Sequence, residues 1–311
     1  MHIPDGFLDT KTIVATATFA IVGVGTAWHQ TKTQLPQRQI PLLGIAAAFV
    51  FAAQMVNFPV AGGTSGHLMG AVLVSVLLGP SAAVIVMSSV LVVQCFFFAD
   101  GGVLSLGANI FNIAIIGTVT GNAIYRSVKK IIGEEQGMIP AVAIAAWCST
   151  MLASICCAGE LAWSGIVPWQ TVFPAMAGIH AVIGVGEALI TSFVIIAIKQ
   201  TRPDLISQNA NGTIAVNYRS VLLYGIVVAL GLVLFVSPFA STWPDGLEMV
   251  ATQFGFDQNA VQHSHVAALL PEYKFPGINS PSLATILGGT FGVAIIIICM
   301  FILSRMLKRK T

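Results

Sequence analysis

Charge is the scarcest thing in this chain. Lys, Arg, Asp and Glu make up 8% of its 311 residues, against about 25% in a typical globular domain, which excludes an ordinary water-facing fold. No lysine or arginine lies in the interior of an apolar run, so a retinal-type Schiff base has no residue to build on. A GxxxxGK[ST] phosphate loop is missing, so ATP is not bound in that manner. Neither HExxH nor a serine or cysteine nucleophile with a placed base occurs, and no enzymatic chemistry is expected. Cys95, Cys148, Cys156, Cys157 and Cys299 all sit in apolar runs without CxxC pairing and read as small hydrophobes. No cleavable leader is expected either, since the opening residues lack the basic stretch that would begin one. The start is neutral with Lys11 the first base, and the bulky His2 is expected to leave Met1 in place.

What is abundant is apolar sequence. Hydrophobic residues are 56% of the chain, in repeated runs near the roughly 20 residues that a bilayer-spanning helix needs. The expected fold class is an all-α, polytopic membrane protein of about nine helices. The segments lie at roughly 11–28, 41–57, 67–78, 80–98, 104–126, 138–162, 172–198, 220–238 and 282–304, with Gly79-Pro80 dividing the third from the fourth. The distribution of basic residues tests this count. With the N-terminus outside, 12 of the 14 fall on the inner side: Lys32, Arg38, Arg126, Lys129, Lys130, Lys199, Arg202, Arg219, Arg305, Lys308, Arg309 and Lys310. Only Lys11 and Lys274 fall outside, so the expected topology is N-out, C-in. The polar stretch 200–219 reads as a cytoplasmic linker. It divides a seven-span unit, 1–199, from a two-span unit, 220–311, whose outer loop covers 239–281. Pro4-Asp5-Gly6 and Pro244-Asp245-Gly246 read as shared turn chemistry.

The most specific stretch is Met1-His2-Ile3-Pro4-Asp5-Gly6. A histidine second in a chain offers one metal ion three nitrogens: the α-amine of Met1, the peptide nitrogen of His2 and the His2 ring Nδ1. The chelate rings hold them near one plane and leave an in-plane position open, which suits Ni(II) or Cu(II), with Co(II) allowed, better than tetrahedral Zn(II). His67 is the candidate fourth ligand. It follows the glycine-rich run Ala61-Gly62-Gly63-Thr64-Ser65-Gly66, on the side of the membrane where the basic residues place Met1. Thr64 or Ser65 is expected to cap the helix starting there.

Other polar residues are weaker candidates for supporting roles or a pathway. His180 and Glu187 lie seven apart, on one face of the seventh span. Glu160 falls late in the sixth span, and Asp100 in Phe98-Ala99-Asp100-Gly101-Gly102 on an outer loop. Gln54, Asn57, Asn109 and Asn112 are amides able to brace the N-terminal segment or to join helices. Gly23 and Ala27 form a small-xxx-small pair suited to a close contact, with a partner protein as one option. His263 and His265 in the outer loop could collect metal.

Met1-His2-Ile3-Pro4-Asp5-Gly6, Gly63-Thr64-Ser65-Gly66-His67, Phe98-Ala99-Asp100-Gly101-Gly102 and His180-Ala181-Val182-Ile183-Gly184 resemble the substrate-binding membrane component of nickel/cobalt energy-coupling factor transporters. Pro244-Asp245-Gly246-Leu247-Glu248 resembles the signature of that component's small ancillary partner, so the chain looks like a fusion of the two. The resemblance implies a seven-helix substrate unit with Met1, His2 and His67 as metal ligands in near-square-planar array. It also implies a separate transmembrane coupling protein and cytoplasmic ATPases, this chain itself binding no nucleotide. Ser65, Asp100, Asn109, His180 and Glu187 are the expected supporting residues. The cargo is Ni2+ or Co2+, with nickel preferred on the Irving–Williams order. Membrane lipid is the expected surrounding, in a bacterial plasma membrane, and no nucleic-acid partner is expected. The rival readings are a secondary-active permease, whose in-span HxxxxD motif is absent, a cobalt importer feeding cobalamin synthesis, and a metal sensor that does not transport.

Overall fold

A computed structural model of the chain describes residues 1–134, 136–206, 218–261 and 268–307. Its helices in chain order are α1 (Thr10–Gln34), α2 (Ile40–Gln54), α3 (Ala71–Leu78), α4 (Pro80–Phe98), α5 (Leu106–Ile132), α6 (Met138–Trp163), α7 (Trp169–Thr201), α8 (Arg219–Phe239), α9 (Gly246–Phe254) and α10 (Pro281–Leu307). Seven of these, all but α2, α3 and α9, are long and apolar enough to cross a membrane. Lys32, Lys129 with Lys130, Lys199 and Arg305 occupy the last turns of α1, α5, α7 and α10, where the negative end of the helix dipole favours them.

Two expected spans fall short: the second, whose helix α2 has 15 residues, and, further still, the third. α3 has 8 residues, about 12 Å of rise, far short of a hydrocarbon core of about 30 Å. Residues 67–70, which the apolar pattern assigns to its first turn, are irregular. The cause is a set of side chains that take the hydrogen bonds a helix would otherwise make. Glu187 of α7 accepts from the backbone N–H of Met69 at 2.5 Å and of Gly70 at 2.9 Å, and Gln54 donates to the Met69 carbonyl at 2.9 Å. Irregular backbone is tolerated at membrane depth only when it is satisfied in this way inside the protein. Just before it, β1 (Phe58–Val60) pairs antiparallel with β2 (Thr64–Gly66), in register Phe58 with Gly66 and Val60 with Thr64. Gly62 and Gly63 turn the hairpin at φ of +92° and +79°, a conformation that costs glycine little. Thr64 and Ser65 therefore lie on a strand and cap no helix; Gly70 precedes α3. Gly79 and Pro80 separate α3 from α4 as the sequence predicts.

α8 and α10 dock against α2 and α4 through small residues. Gly225 faces Ile45, Gly289 faces Met55 and Val233, and Gly292 lies on the rings of Phe51 and Phe98. Glycines let helices approach closely where no hydrophobic effect drives them together. Gly23 and Ala27 likewise pack within the chain, against Ile115 and beside Val84 and Ile85, rather than presenting a partner surface. α5 contains a π-helical segment, Ile110–Ile116, directly after Asn109; such bulges recur at functional sites.

A leucine at position 292 would force its Cβ into the Phe51 ring. Gly292→Leu is expected to destabilise the chain by about 1–3 kcal/mol through overpacking, seen as a lower melting temperature in detergent. An unchanged melting temperature would remove this contact from the docking interface.

Candidate metal centre

The N-terminal strap is held at every residue that matters to its path. Ile3 is fully buried, and its backbone is clamped on both sides by one amide. Asn109 Oδ1 accepts from Ile3 N–H at 2.7 Å while Asn109 Nδ2 donates to the Ile3 carbonyl at 3.1 Å. The same carbonyl accepts from Gly102 N–H at 2.8 Å. Asp5 accepts from the backbone N–H groups of Val103, Leu104 and Ser105 at 2.9–3.1 Å, and Ser105 Oγ donates to the Pro4 carbonyl at 3.1 Å. The first five residues thus form a pinned strap whose free end points inward.

That end meets the second unit. The backbone before α9 lies along the free edge of β2, with Ser65 N–H donating to the Pro244 carbonyl at 2.8 Å and Ser65 Oγ to the Trp243 carbonyl at 2.7 Å. Asp245 then begins α9 as its N-cap. Its Oδ1 accepts from Leu247 and Glu248 N–H at 2.8 and 2.9 Å, and Glu248 Oε2 accepts from Asp245 N–H at 2.9 Å. This reciprocal capping box gives Asp245 and Glu248 their local reason. Gly246 has another: a Cβ there would sit 2.8 Å from His180 Cε1. So Pro4-Asp5-Gly6 makes a turn, whereas Pro244-Asp245-Gly246 starts a helix.

The other oxygen of Asp245 reaches the strap. Oδ2 accepts from the Met1 nitrogen at 2.6 Å, and that nitrogen lies 3.2 Å from His67 Nε2. The rings of His2 and His67 stack, with centroids 5.4 Å apart and planes 19° from parallel. His67 Nδ1 lies 3.2 Å from the Leu68 carbonyl. A carbonyl can only accept, so the proton sits on Nδ1 and the Nε2 lone pair faces Met1. His2 Nδ1 lies 3.0 Å from Asp100 Oδ1, and its buried Nε2 has no hydrogen-bond partner among the described residues. Beside these groups a cavity of about 30 Å³ is lined by Met1, His67, Met69, His180 and Asp245, room for a single water or ion. Above them a cavity of about 460 Å³ is lined by His2, Asp100, Asp245, Glu248 and Asp257.

Electrostatics follow from this crowding. Burial works against the Met1 ammonium, but Asp245, with Asp100 and Glu248 further off, outweighs it and raises the amine above its ordinary 8.0. Burial, the ammonium and His2 push His67 down to about 3, so its imidazole is neutral. Burial opposes the charge on Asp100 and Asp245. Even so, His2 with Tyr273 and the ammonium respectively hold these carboxyls well below the usual range.

Met1, His2, Ser65, His67, Asp100 and Asn109 are thus brought together. His180 and Glu187 stand beneath them with separate partners. His180 Nδ1 donates to the Met176 carbonyl at 2.8 Å, and Glu187 holds the turn after His67. Asn112 does not brace the strap; it donates to Glu160 at 2.7 Å inside the bundle. His263 and His265 lie outside the described residues. Two residues of this cluster, Asp245 and Tyr273, are not among the site candidates that the sequence offers. The Asp-x-x-Glu spacing of a capping box was the available signal for Asp245, and none marked Tyr273.

A family model described as the cobalt uptake substrate-specific transmembrane region matches residues 2–205, and a PDGLE domain model matches 219–309. The chain is similar to a putative fused nickel transport protein of Archaeoglobus fulgidus, 33% identical over 98% of each chain. It is 31% identical to a probable fused nickel transport protein of Lactiplantibacillus plantarum, over 89% of this chain and 90% of that one. A cobalt transport protein of Pelobacter propionicus is 36% identical over 40% of this chain and 57% of its own. The crystal structure of a truncated transition metal transporter superposes with a TM-score of 0.59 at 30% identity, covering 64% of this chain and 99% of that one.

Asn109→Ala would leave the buried Ile3 amide without a partner, at about 1–3 kcal/mol. Hydrogen exchange of residues 1–5 is expected to quicken by about tenfold or more while α6 and α7 keep their protection. Unaltered exchange in the strap would show that Asn109 does not hold it.

Proposed function

The chain belongs to the cobalt-uptake family of substrate-specific transmembrane regions, extended by a PDGLE domain, and we propose that it binds nickel or cobalt for an ATP-driven energy-coupling factor importer. It is a metal-transport component of the membrane rather than a catalyst, as its family and its relatives along the whole length are. The observation that carries the site is the 3.2 Å approach of the Met1 nitrogen to His67 Nε2 beneath the His2 ring, between residues 66 positions apart. The ligands are the Met1 amine, the His2 amide and imidazole Nδ1, and His67 Nε2.

Loading is an exchange. The Met1 ammonium and the His2 amide each give a proton to water, the amine leaves Asp245, and the His2 ring leaves Asp100 as its proton passes from Nδ1 to Nε2. A half-turn about the His2 Cβ–Cγ bond swaps Nδ1 with Cδ2 in an unchanged ring outline. It also brings the unpartnered Nε2 toward the carboxylate, the arrangement that metal-bound histidines favour. Nickel is the preferred cargo. The planar nitrogen set and the Irving–Williams order favour it, and the relatives that match both halves of this chain are named as nickel transport proteins. The site faces outward, because the basic last turns of α1, α5, α7 and α10 belong inside. ATP hydrolysis and the transmembrane coupling step belong to separate subunits, since this chain carries no phosphate loop.

Acetylating the N-terminus, or adding one residue before Met1, is expected to lower nickel affinity by more than about 100-fold, beyond the loss typical of a ligand's supporting partner. His67→Ala should do the same. Calorimetric titration of the purified chain checks both, and wild-type affinity in either would sink the ligand assignment.

Affinity should also fall as pH drops, about tenfold per unit for each proton released on binding. Because Asp245 raises the amine above 8.0, Asp245→Asn is expected to move this fall to lower pH. A profile that stays in place would separate Asp245 from the amine.

A further inference from the structure

We infer that Tyr273, on the outer loop of the C-terminal unit, is a positioning residue for His2 and acts on it through Asp100. The inference rests on the reading of His2 as a metal ligand. Tyr273 Oη donates to Asp100 Oδ2 at 2.5 Å, and the other oxygen of that carboxylate takes His2 Nδ1 at 3.0 Å. Both oxygens are therefore engaged, one by each side chain, and the plane of the carboxylate is fixed between them. Charge-assisted hydrogen bonds of this kind are short and directional, and a carboxylate fixed in this way is set to hold the ring by Nδ1 in the empty site and by Nε2 once Nδ1 turns to the metal.

The placement of Tyr273 is costly, which argues against a chance contact. Glu272 and Tyr273 adopt φ of +54° and +60°, the left-handed region that bulky L residues avoid. Such strain persists only where the surroundings determine it. Here the Tyr273 ring stacks on Phe98 at 4.7 Å and lies 5.9 Å from Phe51, while Leu270 N–H donates to the Phe97 carbonyl at 2.9 Å to pin the loop. Phenylalanine would satisfy every apolar contact. Only the hydroxyl reaches Asp100, so the hydroxyl is what the site requires. The C-terminal unit thereby touches both ligands of the strap: Asp245 holds the Met1 amine, and Tyr273 steers His2.

The test uses the full chain in detergent, titrated with Ni2+ alone, and compares Tyr273→Phe, Asp100→Asn and the double variant. Tyr273→Phe keeps the ring stack on Phe98 and so the packing of the loop. It is expected to weaken nickel binding by about 10–100-fold and to shift the ligand-field absorption of the bound ion. The double variant should bind no worse than Asp100→Asn alone, since Tyr273 acts only through Asp100. Wild-type affinity and spectrum in Tyr273→Phe, or losses that simply add in the double variant, would overturn the inference. So would a lower melting temperature with unchanged binding, which assigns Tyr273 to packing. His67→Ala in the same assay separates the two levels. Normal nickel binding there overturns the site itself, whereas lost binding there with a normal Tyr273→Phe overturns only the relay.

Discussion

One carboxylate joins the two halves of this molecule. Asp245 uses Oδ1 to cap α9 and Oδ2 to hold the Met1 nitrogen at 2.6 Å. Either task alone would be ordinary. Together they fix the start of the chain against a helix that begins 245 residues later. The position of β2 depends on the same junction, because Ser65 binds the carbonyls just before Asp245, and His67 follows within two residues. If the junction were removed, the strap, the hairpin and α9 would each lose a common neighbour.

The irregular backbone around His67 is held by the same logic from below. A helix running through 67–70 would satisfy its own polar groups and would carry His67 on a helical face. Glu187 and Gln54 instead satisfy that backbone from α7 and α2, which frees the chain to turn under the strap. Gln54 in turn accepts from Gln94 at 2.8 Å. Buried polar groups of this kind stabilise only when their partners are complete, so the position of His67 is a property of three helices rather than of its own loop.

How much of this was legible follows from where the information lies. The strap and His67 could be read because their chemistry is local: a histidine in second place, and a histidine after a glycine-rich turn. Seven of the spans could be read from apolar length; α2 falls short at 15 residues, and α3 could not be told apart, since eight apolar residues beside a proline look the same whether they end a full span or form a half-helix. Asp245 was read as a turn residue, because Pro-Asp-Gly fits a turn as well as a helix start and only Glu248 three places on distinguishes them. Tyr273 could not be read at all. Its role comes from a left-handed backbone and a packing site between α2 and α4, neither of which a residue type announces.

Two carboxylates stand beside a set of proposed ligands that are all nitrogen, and the charge of the site follows from both. The imidazoles aside, the ammonium of Met1, Asp100 and Asp245 sum to a charge of −1 in the empty site. Under the proposed coordination a divalent ion enters, the amine becomes neutral and the His2 amide becomes anionic. The sum is again −1, so the two protons that leave balance the ion that arrives. This balance matters in a buried site, where uncompensated charge is costly. A monovalent ion bound by the same donors would leave the site at −2, and a trivalent ion at 0. The two protons of Met1 and His2 make a divalent ion the neutral exchange, while the carboxylates, which bind no metal in this scheme, hold the Met1 nitrogen and the His2 ring in place.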